Sequence, residues 1–147
     1  MKTAVIYYSN HHGNTKQLLD AISRKFDVVL IDAAKTESAD LSEYDLIGFA
    51  SGIYYSKFHK SVLQFAEKNL PEGKKVFFLY TCGSEKKSYT ESIAKVVRSK
   101  AAEIAGEFGC LGFDTYGPFK LIGGIAKGHP DQNDLNNAVS FYERISG

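Results

Sequence analysis

The sequence predicts an α/β domain in which a five-stranded, doubly wound parallel sheet carries helices on both faces. Three observations predict it. Short apolar runs of strand length alternate with segments whose apolar residues recur at helical spacing. The runs are too continuously apolar for a sheet with one wet face, and strands covered on both sides belong to parallel sheets. Finally, 147 residues at 44% hydrophobic content suit one domain, residues 1–147, with a core of useful size.

The strands are read at Thr3–Tyr8, Val28–Ile31, Leu46–Ala50, Val76–Tyr80 and, less cleanly, Cys110–Thr115. A first helix carries Leu18, Leu19, Ile22 and Phe26 between the first two strands. The connection from Asp32 to Asp45 is short, polar and has the weakest helical signal. A second helix carries Val62, Phe65, Ala66 and Leu70 and stops at Pro71 and Gly73. A third carries Ile93, Val96, Val97, Ala101, Ile104 and Phe108, with Ser88 three residues before Glu91 at capping-box spacing. The last carries Leu135, Ala138, Val139, Tyr142 and Ile145 and opens after Pro130 and Asp131. No internal repeat, linker or low-complexity stretch interrupts the pattern.

Composition removes several function classes. A net charge of +1 with this hydrophobic content is not that of a disordered chain. The near-neutral balance leaves no basic excess for neutralising nucleic-acid phosphates. No apolar run approaches the roughly 20 residues that cross a bilayer, and polar residues from Ser9 to Asn14 cut short any signal peptide. Two cysteines make neither a disulfide framework nor a four-ligand zinc site. The expected address is the cytoplasm, with both thiols reduced.

In a doubly wound sheet, ligands sit beyond the carboxyl ends of the strands. That rule selects Ser9–Thr15, Ser51–Phe58 and Thr81–Tyr89, with Tyr116–Pro130 after the last strand. Ser9–Thr15 runs into a helix and holds hydroxyls, amides, one glycine and no acid. Helix-opening N–H groups with Ser and Thr hydroxyls make a seat for a phosphate; the bland alternative is a polar turn capping the helix. A dinucleotide loop would need three glycines, and a triphosphatase loop its G-x-x-x-x-G-K-[ST] string. A magnesium-dependent receiver would need acids, and a cysteine phosphatase a thiol. A monophosphate held mostly by neutral donors remains. Ser51–Phe58 offers aromatics beside that seat, a surface for a flat ring, and Thr81–Tyr89 offers backbone polar groups and a further aromatic. With nine tyrosines in the chain, ordinary packing is the competing explanation for each.

Taken together, the order of elements and the loops SNHHGNT, SGIYY and TCGS resemble the flavodoxin superfamily over nearly the whole chain. The resemblance implies a flavodoxin-like fold with strand order 2-1-3-4-5 and flavin mononucleotide (FMN) as cofactor. It implies that Ser9, Asn10, His12, Gly13, Asn14 and Thr15 hold the phosphate. Ser51, Gly52, Ile53, Tyr54 and Tyr55 would line one side of the isoalloxazine, and Thr81, Cys82, Gly83 and Tyr89 the other. The implied role is an electron carrier between a reductase donor and an electron acceptor, with no catalytic residue, no metal, no nucleic acid and no membrane span. The run GIYYSKFHKSVLQF also resembles flavodoxin-like protoporphyrinogen oxidases. That sets the alternative of a small oxidoreductase acting on a quinone or porphyrinogen; a flavin-binding regulatory module is a third reading.

Two departures from the carrier pattern stand out. Carrier flavodoxins are strongly acidic, whereas Lys57, Lys60, Lys86 and Lys87 fall on the ring-side loops here. If they face the flavin, its second reduction is easier than in acidic relatives; otherwise they are solvated. In many flavodoxins a glycine beside the stacking aromatic allows a peptide flip; here Ser56 follows Tyr55, and positive φ costs more at serine. Cys82 is expected after the fourth strand and Cys110 before the fifth, on opposite rims roughly 20 Å apart, too far to bridge. Tyr116–Pro130 is read either as a flap bringing Lys127 and His129 to the cofactor or, preferentially, as an extra strand at Phe119–Ile122.

Overall fold

Parallel pairing sets the architecture. Strand β1 (Thr3–Tyr8) lies between β2 (Val28–Asp32) and β3 (Leu46–Tyr54), and β3 passes its other edge to β5 (Lys75–Cys82), which pairs with β6 (Glu103–Leu111). A short strand, β4 (Lys57–Phe58), folds back antiparallel on the end of β3. The order β2-β1-β3-β5-β6 is the expected 2-1-3-4-5 arrangement of the five parallel strands, with β4 off that path. The computed structural model describes residues 1–9, 13–84, 88–113 and 124–147.

Alternation along the central strands explains why they read as continuous apolar runs. Ile6, Ile47, Phe49, Val76 and Phe78 face one layer with α2 (Lys60–Asn69) and α3 (Glu91–Ser99). Val5, Leu46, Ala50, Phe77 and Leu79 face the other, with α1 (Asn14–Ser23) and α4 (Gln132–Ser146). Both faces are dry, so no strand position in the middle is left for a polar residue. Close fit between neighbours is part of the packing: a Cβ on Gly48 would run into the ring of its register partner Phe77. Helix α4 opens on a full capping box between Asp131 and Asp134, to which His129 adds a 2.8 Å contact from Nδ1. Near its other end Tyr142 donates to the buried Thr3 hydroxyl at 2.8 Å, fastening α4 to the start of β1.

Several expectations are corrected. The third helix stops at Ser99, and residues 103–111 form β6 rather than its continuation. Ala101 at φ 54° breaks the helix, and Ile104 and Phe108, four apart, satisfy a strand's alternation as well as a helix's period. A bulge opposite Val76/Phe77 then moves the two side chains to different layers. The early start carries Cys110 to the carboxyl rim, where it pairs with Thr81. Both cysteines therefore share one rim, not opposite ones. They are buried and not bridged to each other, because Cys110 shares a face with Thr81 and Cys82 points to the other. The Ser88–Glu91 capping box is absent: the N-cap is Thr90, whose hydroxyl donates across to Glu107 on β6 at 3.1 Å. The 32–45 connection forms no helix and contributes Leu41 to the core in its place. Phe119–Ile122 lies outside the described residues.

Candidate functional site

The carboxyl ends of β1, β3 and β5 finish level with one another. Tyr8 pairs with Ser51, Ser51 with Tyr80, and Gly52 with Thr81. The segments that leave these strands thus start from a single rim, and each carries one of the three stretches Ser9–Thr15, Ser51–Phe58 and Thr81–Tyr89.

The first segment opens α1. Gly13 is the N-cap at φ 64°, a left-handed conformation suited to glycine, and a Cβ there would meet none of the described residues within 4 Å. The cap has no side chain and the first turn no acid, so among the described residues only Ser9 answers the positive end of the helix. Ser9 Oγ accepts the Lys16 N–H at 3.0 Å, which leaves the serine's own proton to donate outward. Lys16 sends its ammonium to Asp20 at 2.6 Å, and that hydrogen bond raises its pKa. The described donors at this helix opening are therefore neutral. Asn14 and Thr15 are buried. Asn14 Nδ2 donates to Phe113 O at 2.7 Å, and the Thr15 and Thr81 hydroxyls bond each other at 2.9 Å. These bonds tie the first segment to the ends of β6 and β5. Asn10 and His12 lie outside the described residues.

The second segment is a hairpin, not a loop. Strand β3 continues to Tyr54, turns on Tyr55 and Ser56, and returns as β4. Both turn residues have positive φ, 51° and 66°, the signs a two-residue hairpin needs to match strand twist. Ser56, expected to resist that conformation, adopts it alongside Tyr55, at a cost of roughly 1–2 kcal/mol each. Ser51 is fully buried; it accepts the His59 N–H at 3.0 Å and donates to Gly52 O at 2.5 Å, clamping the hairpin's base. Ile53 packs against the α2/α3 layer. Tyr54 folds its ring over Gly52, 3.5 Å from where a Cβ would stand, while Tyr55 is 80% exposed at the tip.

Two residues here carry no sequence motif that marks them. The His59 ring stacks on Tyr8 with centroids 3.6 Å apart, and Tyr54 meets both edge-on, at 5.7 Å from Tyr8 and 5.2 Å from His59. His59 also caps α2, its Nδ1 accepting the Ser61 N–H at 3.1 Å and lying 2.8 Å from the Ser61 hydroxyl. Burial, reinforced by Lys60, lowers its pKa. The one available signal is its position immediately before a helical apolar pattern.

In the third segment Thr81 and Cys82 complete β5, and Gly83 and Ser84 turn away from it. The Cys82 thiol donates to Cys110 O at 3.5 Å. Tyr89 is only 5% exposed; its hydroxyl donates to Ser84 O at 2.6 Å and its ring meets Tyr80 edge-on. It braces this turn from inside. Lys57 and Lys60 are exposed; Lys86 and Lys87 lie outside the described residues. Chemically, the rim can seat a small anion on neutral donors with aromatic surface and a glycine-bearing turn alongside.

A flavodoxin-domain family model matches residues 5–118, from β1 through β6 and all three segments. The chain belongs to the flavodoxin domain family. An uncharacterized protein of Methanocaldococcus jannaschii is 38% identical over 147 residues, covering 99% of this chain and 98% of that protein. Among solved structures, a flavodoxin from the domain Archaea superposes with TM-score 0.68 at 19% identity, with 99% of each chain covered. Oxidised flavodoxin 2 from Bacillus cereus gives 0.68 at 18% identity, covering 98% of this chain and 97% of that one. At such identities these structures bear on the fold of this flavodoxin domain. Its α4 lies beyond the matched residues yet completes the α1 face of the core. Among the described residues, no helix is long and apolar enough to cross a membrane.

Proposed function

We propose that this flavodoxin-domain protein binds FMN and carries electrons between a reductase and an acceptor protein. The observation that carries the reading is the opening of α1: acid-free, without a side chain at its Gly13 cap, with none of the described residues over Gly13, and level with the hairpin and the β5 turn. A phosphate monoester fits such an end, where main-chain N–H groups and the helix dipole both favour negative charge. Ser9, Asn10, His12, Gly13, Asn14 and Thr15 form the phosphate segment in this reading. Ser51–Tyr55 and Thr81, Cys82, Gly83 and Tyr89 frame the ring. Because Asn14 and Thr15 spend side-chain bonds on Phe113 and Thr81, their contribution to the phosphate is through main-chain N–H.

When bound, FMN supplies the one-electron and two-electron chemistry. The chain's task is to hold the phosphate, fix the ring and leave an edge reachable. The carrier reading rests on Tyr55, exposed at the hairpin tip between Tyr54 and the Lys57 charge, a surface suited to brief contact with a redox partner. A reducing, cytoplasmic setting belongs to the same reading, in keeping with two buried cysteines that are not bridged to each other. Calorimetric titration with FMN and with riboflavin tests it. FMN should bind at least about a hundredfold more tightly, as expected for several charge-assisted contacts. Equal affinities, or no affinity for FMN, would overturn the assignment of α1 as the phosphate seat.

A further inference from the structure

His59 is not among the residues assigned to FMN, yet it joins several of the parts that would hold it. Its main-chain N–H ends on Ser51 Oγ at 3.0 Å, at the buried base of the hairpin. Its ring lies flat on Tyr8, with 3.6 Å between centroids and 5° between planes. Tyr8 is the last residue of β1, in register with Ser51 and directly before Ser9. Tyr54 meets both rings edge-on, at 5.2 Å from His59 and 5.7 Å from Tyr8. One imidazole thus spans the hairpin base, a ring-side tyrosine and the strand that leads into the phosphate segment.

The opening of α2 holds that imidazole in place. Nδ1 accepts the Ser61 N–H at 3.1 Å, so the neutral ring carries its proton on Nε2. A second proton can enter only at Nδ1, where it meets the Ser61 N–H donor. The protonated nitrogen must then turn to the Ser61 hydroxyl, 2.8 Å away, and leave the helix N–H without its cap. Such a turn slides the ring on Tyr8 and pulls on the N–H that holds Ser51. The charged groups on the surrounding elements are Lys57 on β4, Lys60 beside the ring on α2, and Glu37 and Lys68 along the groove that His59 and Tyr8 help to line. Three of these four are cations, and α2 adds its positive pole, so the surroundings favour the neutral ring.

We propose that His59 is a positioning residue for the FMN site: its neutral ring, capping and stacked, holds the hairpin against the end of β1, and proton uptake at Nδ1 releases that hold. This role presupposes the FMN reading of the rim. By linkage, FMN then favours the neutral ring: acid weakens FMN, and FMN lowers the pH at which His59 takes up its proton.

Fluorescence titration of the full chain with FMN and with riboflavin from about pH 8 to pH 5, across the histidine range, tests this. NMR follows the His59 ring over the same range, with and without FMN. His59→Asn keeps an acceptor for the Ser61 N–H but takes up no proton, and His59→Phe keeps a ring for Tyr8 but offers no acceptor. Phosphate monoesters titrate near pH ~6 as well, and the variants carry that baseline. Across the range wild type should lose roughly three- to fivefold more FMN affinity than His59→Asn, matching a His59 pKa about half to one unit lower in the loaded protein. Riboflavin, without a phosphate, should show the same step with wild type and no step with either variant. His59→Phe should bind FMN weakly already at the alkaline end, as acid makes wild type do. Parallel FMN profiles of wild type and His59→Asn, or a His59 titration that FMN leaves in place or moves to higher pH, would overturn the role of His59 while leaving FMN binding intact. No FMN binding at the alkaline end would overturn the cofactor reading, and this role with it.

Discussion

The bond between Thr15 and Thr81 is the tie by which α1 is held to β5, and its removal gives a quantitative test of how the rim is built. Both side chains are buried, 1% and 4% exposed, with their hydroxyls 2.9 Å apart. Valine matches threonine in shape, so Thr15→Val opens no cavity and strands the Thr81 hydroxyl in a dry site. A buried hydroxyl left unpaired costs about 1–3 kcal/mol, whereas replacing both partners by apolar groups of the same shape is nearly neutral. Each single variant should therefore lose roughly 2 kcal/mol, and the double variant much less than the sum. At a urea slope of about 1–2 kcal/mol/M for a domain of this size, each single loss moves the midpoint by about 1–2 M. The coupling then emerges from four urea curves, and additive losses would refute the tie. The same proteins interrogate the phosphate seat. With Thr15 bonded to Thr81, both single variants should weaken FMN by similar factors through the position of α1. A loss confined to Thr15→Val would mean that its hydroxyl leaves Thr81 for the phosphate.

Ser51→Ala should cost about 1–3 kcal/mol in urea unfolding, because the His59 N–H loses its acceptor at the buried base of the hairpin; an unchanged midpoint would show the clamp to be idle. The two described histidines with shifted pKa values should give opposite pH slopes. His59 is lowered from 6.5 by burial, so its contribution is complete above that value and lost as pH falls, and His59→Asn, which can still cap α2, should flatten the acid limb. His129 is raised from 6.5 by Asp134, so its contribution is complete below that value and lost as pH rises, and His129→Gln should flatten the alkaline limb. Midpoints measured from about pH 5 to 9 check both, and a shared direction would contradict the assignment. Finally, Lys57→Glu with Lys60→Glu should make the second one-electron potential of the FMN-loaded protein more negative. At about 10 Å in a water-like dielectric each reversal is worth roughly 0.8 kcal/mol, on the order of 35 mV before screening by salt; unchanged potentials in spectroelectrochemical titration would place these lysines away from the ring.

The central strands and both helical layers were legible because each depends on side-chain periodicity, which is local, whereas the strand order followed only from the resemblance to flavodoxins. Val5 and Ile6, or Phe77 and Phe78, announce a doubly covered strand by being adjacent and apolar. The start of β6 was not legible for the same reason: Ile104 and Phe108 fit two periods, and the bulge that separates their faces is set by pairing with β5. That single error misplaced Cys110, because rim position depends on where a strand begins. The hairpin was hidden differently. Tyr55-Ser56 lacks the Asn-Gly or Asp-Gly signature of a tight turn, and only the surrounding pairs, Ile53 with Phe58 and Tyr54 with Lys57, hold it there. His59 and Tyr8 lie 51 positions apart in the chain, and no periodicity reports a stacked pair.

At the candidate site the same contrast has a physical consequence. Position relative to the strand ends marked the three segments, while residue type suggested that their polar side chains face a ligand. Asn14, Thr15, Ser51 and Tyr89 instead place hydrogen bonds on Phe113, Thr81, His59 with Gly52, and Ser84. Buried polar groups must find partners, and at a rim where three chain segments converge the nearest partners are one another. Such bonds fix the segments before any ligand arrives, and among the described residues they leave the main-chain N–H groups of Asn14 and Thr15 beside Gly13 without a side-chain acceptor. A cradle of that kind recognises charge and shape with little regard for side-chain identity, so variants at Asn14 or Ser51 should be read first through stability and only then through affinity.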